Sequence, residues 1–291
     1  LTRLKAETVW RTTRGGLDRR ARNRQVVVAV VDTGVAAHAD LGANRLAGRD
    51  YVRPGARMSD PNGHGTHVAG IVAALAGNRR GTAGLAPRAR VLPVRVLGAD
   101  GSGPTDVIAR GIVYAADRGV QVINLSLGAT GDDSALGAAV RYAQRKNALV
   151  VAAAGNDGGG LGCLLGCPTQ YPAAYPGVLG VASIDSDGST SGFSSHGSWV
   201  DVAAPGGANL STVPKGNRLG GSCQGKSYCY LSGTSMASPY AAATAALGYS
   251  EHGWRGTRLA QKVIGTATDL GARGVDQDTG HGLVNPLALV R

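Results

Sequence analysis

The chain reads as an α/β fold of three layers, a mostly parallel central sheet flanked by helices, and three observations predict it. Short apolar runs rich in β-branched residues alternate with Ala-rich stretches of helical period, in repeated strand-then-helix order. Runs such as 26–31 and 149–153 are apolar throughout, as strands covered on both faces are. At 291 residues the chain suffices for one large domain with a substantial core and is short for several.

Residues 26–31 form the first strand. Residues 64–75 form a helix whose Val68, Ile71, Val72 and Leu75, spaced by three and four, make an apolar face toward the sheet, with His64 at its start. Strands follow at 91–96, 122–125, 149–153 and 178–182, and helices at 105–118 and 134–146. The last helix covers 235–247, with Ser235 at its opening, Pro239 in its first turn and the Ala-rich 241–246 allowing close packing. No repeat or linker divides the chain, so residues 1–291 are read as one domain, with a basic segment, 1–25, packing on or preceding the core.

Lys and Arg number 30 against 19 Asp and Glu, a formal charge of +11. The basic residues are spread, aromatics are only 4%, and no nucleic-acid motif is present, so a solvated basic surface is the reading and no nucleic-acid partner is expected. The local exception is 11–24, with Arg14, Arg19, Arg20, Arg22 and Arg24 around Gly15 and Gly16, expected to be an exposed loop open to proteolytic nicking. Apolar runs fall well short of the roughly 18 residues of a membrane span. No leader precedes Leu1, so any signal peptide is expected to have been removed. Cys163 and Cys167, and Cys223 and Cys229, form two close pairs with no His at metal-ligand spacing. Disulfides in an exported protein are the preferred reading over reduced thiols, and three connectivities are open.

A serine hydroxyl is a poor nucleophile at neutral pH and needs a histidine to take its proton and an acid to orient that histidine. One candidate for each role stands out. Asp32 follows its strand by one residue, where open parallel sheets place their ligands. His64 lies in Gly63-His64-Gly65-Thr66-His67-Val68-Ala69-Gly70, and Ser235 in Gly233-Thr234-Ser235-Met236-Ala237-Ser238-Pro239. Alone, Ser235 would pass for a helix cap and Asp32 for a turn residue before Gly34. His64 and His67 are three apart, but no carboxylate follows at the spacing of a helical zinc motif.

These segments, in the order Asp, His, Ser and with Gly280-His281-Gly282-Leu283-Val284-Asn285-Pro286 near the end, resemble the subtilisin-like serine peptidases over most of the chain. The resemblance implies a subtilisin-like fold and a secreted serine endopeptidase of broad specificity, acting through an acyl-enzyme without a catalytic cofactor. Asp32, His64 and Ser235 would be catalytic and His67 structural. Asn156, in Ala153-Ala154-Gly155-Asn156-Asp157, would donate to the oxyanion with the Ser235 backbone N–H. Polypeptide substrates would lie as an added strand between Gly101, Ser102 and Gly103 on one side and Ser126, Leu127 and Gly128 on the other. Ala154, Gly155 and Gln170 would line the pocket for the residue before the scissile bond. At its rim Asp157 is read equally as a selector of Lys or Arg and as a plain loop aspartate.

An N-terminal propeptide in the precursor and a monomeric enzyme are also implied. The two local disulfide loops are the preferred pairing; cross-pairing stays open, because the resemblance places both loops near the cleft. Family members often hold calcium near 78–82 with Asp40, but Arg79 and Arg80 there are unfavourable beside a cation. Carbonyls of Ala173, Tyr175 and Val178 with the Asp201 carboxylate form a second candidate, for structural calcium or sodium, weighed equally with a proline-rich turn beside a surface aspartate. Two alternatives remain: selective processing of one partner at the same site, and an inert scaffold, which would be expected to lack Asp32, His64, Asn156 or Ser235.

Overall fold

The computed structural model describes residues 1–17, 25–160, 163 and 166–291. Seven strands form one parallel sheet: β1 (Val27–Asp32), β2 (Arg49–Asp50), β3 (Arg90–Arg95), β4 (Val122–Leu125), β5 (Leu149–Ala153), β6 (Leu179–Ile184) and β7 (Val202–Pro205), in the order β2-β3-β1-β4-β5-β6-β7. A hairpin of β8 (Asn209–Thr212) and β9 (Tyr228–Leu231) stands apart from it. From β1 the chain fills one side of the sheet, first β2 at the edge and then β3 between β2 and β1, before crossing to β4 on the other side, so strand order reverses between β1 and β4. Ligands bind at such a reversal, beyond the carboxyl ends of the strands. Asp32 ends β1 there, and Ser126 directly follows β4.

Period-two alternation in β1 and β5 feeds two cores. Val28 and Val30, with Leu149 and Val151, face the core shared with helices α2 (His64–Ala73) and α5 (Thr234–His252). Ala29 and Val31, with Val150 and Ala152, face the core shared with α3 (Thr105–Asp117) and α4 (Ser134–Arg145). Near the N-terminus, α1 (Ala6–Thr12) buries Ala6 and Val9 in the first core, next to Leu4, so the described part of the basic N-terminal segment packs on the core. Arg19, Arg20, Arg22 and Arg24 lie outside the described residues. On the same side, α6 (Gly256–Gly265) and α7 (Pro286–Leu289) complete the layer.

Two local expectations are corrected. Helix α2 stops at Ala73, short of Leu75, and everything in it after His64 is buried, so it has no outer polar face. It lies between the sheet, α5 and the β8–β9 hairpin, where Ser211 Oγ donates to His67 O at 2.7 Å and Thr212 Oγ1 to Thr66 O at 2.9 Å. In α5, which begins at Thr234, Pro239 is the sixth residue and lies in the second turn, where a proline removes a helical hydrogen bond. The four cysteines pair locally, Cys163 with Cys167 and Cys223 with Cys229. Among the described residues, no helix is long and apolar enough to cross a membrane.

Candidate active site

Asp32 is fully buried at the end of β1, and its carboxylate receives His64 Nδ1 at 2.8 Å on Oδ1 and 3.0 Å on Oδ2. A carboxylate only accepts, so the imidazole proton sits on Nδ1 and Nε2 is left as an acceptor. The close approach depends on Gly65, where a Cβ would meet Gly34 O at 2.1 Å and Asp32 Cβ at 3.0 Å. Burial would lower the His64 pKa. The charge and hydrogen bond of Asp32, and the more distant charge of Asp60, outweigh it, and the net shift is upward.

The His64 side chain keeps 22% of its surface exposed, and it lines one cleft with Ser235, Ser126, Leu127, Gly128, Gly101, Ser102 and Gly103. Ser235 is the second residue of α5, and its hydroxyl donates to Ser126 O at 3.3 Å. The helix N-terminus beneath it favours negative charge nearby.

Asn156 follows β5, and its Oδ1 accepts from Thr234 N at 2.9 Å and Thr234 Oγ1 at 3.0 Å. With the oxygen committed to the start of α5, the amide NH2 is the group left to donate elsewhere. Gly155 makes this turn with a φ of 108°, and a Cβ there would press on Gln170 Cγ at 2.7 Å and Ser195 Oγ at 2.8 Å.

Asn156 and Asp157 line a neighbouring depression of about 640 Å³ with Thr130, Pro168 and Phe193. Gln170, nearly buried, donates from Nε2 to Asp157 Oδ2 at 2.8 Å, tying together the two residues expected at the pocket's base and rim. Ala154 departs from expectation. It is fully buried, its N–H donates to Val181 O, and its carbonyl accepts from Trp199 Nε1 at 3.1 Å, so neither side chain nor backbone is free to meet a substrate.

A model of the subtilase family (peptidase S8) matches residues 23–282. The chain belongs to the subtilase family. Thermitase from Thermoactinomyces vulgaris is 45% identical over 248 residues, 83% of this chain and 83% of that protein. Subtilisin Savinase from Lederbergia lenta is 40% identical over 267 residues, 91% of each. A solved protease structure from Pseudoalteromonas arctica superposes with a TM-score of 0.82 at 34% identity, covering 99% of this chain and 93% of that one. This subtilase is a serine endopeptidase with the three-layer α/β fold that its sequence predicts.

Asp60, with its partners Thr33 and Thr66, escapes sequence reasoning. Asp60 is 4% exposed, and its Oδ1 accepts from Thr33 Oγ1 at 2.8 Å and Gly63 N at 2.7 Å. Its Oδ2 accepts from Thr66 N at 2.8 Å and Thr66 Oγ1 at 2.6 Å. Asp60 thus joins the end of β1 to the first turn of α2, on either side of His64. Burial pushes its carboxyl upward against those bonds. The Asp60-Pro61 dipeptide, a turn signal four residues before His64, was the available clue. His67 is fully buried and its Nε2 lies 3.0 Å from Asn209 O and 3.1 Å from Cys229 O, a structural setting as expected. Its Nδ1 is buried and meets no hydrogen-bond partner among the described residues.

Near 78–82 the donors do not fit calcium. Asn78 Nδ2 and Thr82 N donate to the two oxygens of Asp40 at 2.5 and 3.1 Å, and Arg79 and Arg80 flank them. At the second candidate the carboxylate is Asp201. Asp201 Oδ2 accepts from Gly180 N at 2.8 Å, and a Cβ on Gly180 would lie 3.7 Å from Ala173 Cβ. Tyr175 O accepts from Val178 N at 3.1 Å, in a turn that ends at β6. Burial pushes the Asp201 carboxyl up, a shift that a bound cation would reverse.

Proposed function

We propose that this endopeptidase works through Ser235 as nucleophile, His64 as general base and then acid, and Asp32 as the group orienting His64. The observation that carries the reading is the bidentate grip of buried Asp32 on His64 Nδ1, with His64 and Ser235 on one cleft. Ser235 Oγ attacks the scissile carbonyl carbon while its proton passes to His64 Nε2. The resulting oxyanion is met by the Asn156 amide and the Ser235 N–H. Collapse breaks the C–N bond, the leaving amine takes the proton from His64, and water hydrolyses the acyl-enzyme with His64 as base.

Substrate lies as a strand along 101–103 and 126–128, where backbone contacts tolerate many sequences and support broad specificity. Asp157, held by Gln170, gives the first pocket an acidic rim that would admit Lys or Arg. Carbonyls of Ala173, Tyr175 and Val178 with Asp201 would hold a structural calcium or sodium ion. Residues 1–291 would form one monomeric, secreted peptidase domain whose precursor carries a propeptide. Mass spectrometry after treatment with a fluorophosphonate is the test. A single adduct on Ser235, lost with activity in Ser235→Ala, is expected, and an active Ser235→Ala enzyme would overturn the assignment.

A further inference from the structure

Pro239 has no N–H, and in a helix its missing donor would have served the carbonyl four residues earlier, that of Ser235. That carbonyl is not left bare. Ser126 Oγ, from the turn after β4, donates to Ser235 O at 2.8 Å. Ser126 also meets the same residue at its other end, since Ser235 Oγ donates to the Ser126 carbonyl at 3.3 Å. The Ser126 hydroxyl is itself held, accepting from Asn124 Nδ2 at 2.9 Å and lying 2.9 Å from Ser238 Oγ. A hydroxyl has one proton, and with that proton on Ser235 O the Ser238 hydroxyl is the donor to Ser126 Oγ. Asn124, Ser126 and Ser238 are all buried.

We propose that Ser126 is a positioning residue, whose side chain replaces the hydrogen bond that Pro239 deletes and so fixes the backbone of Ser235 against the end of β4. The role differs from any backbone contact of Ser126 with substrate, because an Ala at this position keeps the carbonyl and loses only the hydroxyl. It joins the nucleophile's helix to the sheet at the point where strand order reverses, and it predicts a rate effect rather than a binding effect. The inference rests on the reading of Ser235 as nucleophile.

The test measures kcat and KM on a chromogenic peptide anilide, and the rate of fluorophosphonate labelling, for wild type, Ser126→Ala, Ser238→Ala, Pro239→Ala and Ser126→Ala/Pro239→Ala. Ser126→Ala is expected to lower kcat and labelling rate together by about ten- to hundredfold, with KM within about twofold, because small misplacement of a reacting group costs rate. Ser238→Ala, which does not touch Ser235 O, should lose less. In the Pro239→Ala background residue 239 regains its N–H, and the Ser126→Ala loss should shrink to about threefold or less, a coupling that a double-mutant cycle isolates.

Labelling of Ser126→Ala at the wild-type rate, a loss confined to KM, or the same fold-loss in both backgrounds overturns the inference while leaving the nucleophile standing. A wild-type enzyme without an adduct on Ser235 removes the nucleophile and this inference together. Melting temperatures accompany each rate, and a loss that vanishes on cooling well below the melting point also overturns it. If Pro239→Ala does not fold, the kcat and labelling rate of Ser126→Ala decide alone.

Discussion

Thr234 donates both its backbone N–H and its hydroxyl to Asn156 Oδ1, at 2.9 and 3.0 Å, and so fixes which way the amide faces. A donor aimed in advance at developing charge needs no reorganisation during the reaction, typically lowering the barrier by ~3 kcal/mol. Asn156→Ala should therefore lower kcat by roughly a hundredfold or more with little change in KM. Thr234→Val keeps the backbone donor, and its loss should be smaller. Steady-state kinetics decide, and an equal loss that appears only in KM would make Asn156 a binding residue.

Since Asp32 raises the His64 pKa, the acid limb of kcat/KM should lie above 6.5, the ordinary histidine value. The sign follows from the mechanism: Nε2 must be unprotonated to take the serine proton, so activity falls as pH drops through the raised pKa. In Asp32→Asn burial, the largest influence on the imidazole, is opposed only by the more distant charge of Asp60, so the limb should move down, and kcat should fall by about 10⁴ as the ring loses its tautomer. A pH profile of both enzymes checks the two effects.

Burial holds the His67 pKa down at about 4, against an ordinary 6.5. The unfolded chain therefore binds the extra proton at pH values where the folded one refuses it. The stabilisation is complete above 6.5 and fades as pH falls toward 4, by about 3 kcal/mol in all. Urea midpoints measured from pH 7 to pH 4 should fall accordingly, and His67→Gln should flatten that slope while lowering stability at pH 7.

Asp60→Asn puts an NH2 where one carboxylate oxygen receives two donors, so at least one of Thr33, Gly63 and Thr66 loses its partner. A cost of about 2 to 4 kcal/mol is expected. A drop in kcat should accompany it, because the same bonds set the start of α2 against Asp32. Urea unfolding with kinetics on the folded variant measures both. Unchanged kcat would confine Asp60 to stability.

At the second cation candidate, adding calcium or sodium to chelated enzyme should raise the melting temperature, and Asp201→Ala should abolish that response. A response that survives Asp201→Ala would place the ion elsewhere.

Much of the frame was legible in the sequence. Strands β4 and β5 match their sequence bounds, and α3 and α4 end within one residue of them, because their apolar residues report burial against the sheet directly. The hairpin of β8 and β9 was not legible. Asn209–Thr212 is polar, and Ser211 and Thr212 are buried by bonding to carbonyls of α2, a partner remote in sequence. Helix α6, with Leu259, Ala260 and Val263 on one face, carries a period readable in the sequence.

By itself the sequence determined the order Asp32, His64, Ser235, the parallel sheet and the family, since residue type and local spacing carry the chemistry a triad needs. Tertiary structure alone decided that Asp32 grips His64 with both oxygens, that Asn156 is aimed by Thr234, that Ala154 turns away from the cleft, and that Ser126 holds the carbonyl freed by Pro239. Each of these joins residues far apart in sequence, at least 30 positions by these bonds, and directional contacts between such residues arise only when the packed sheet and helices bring them within about 3 Å.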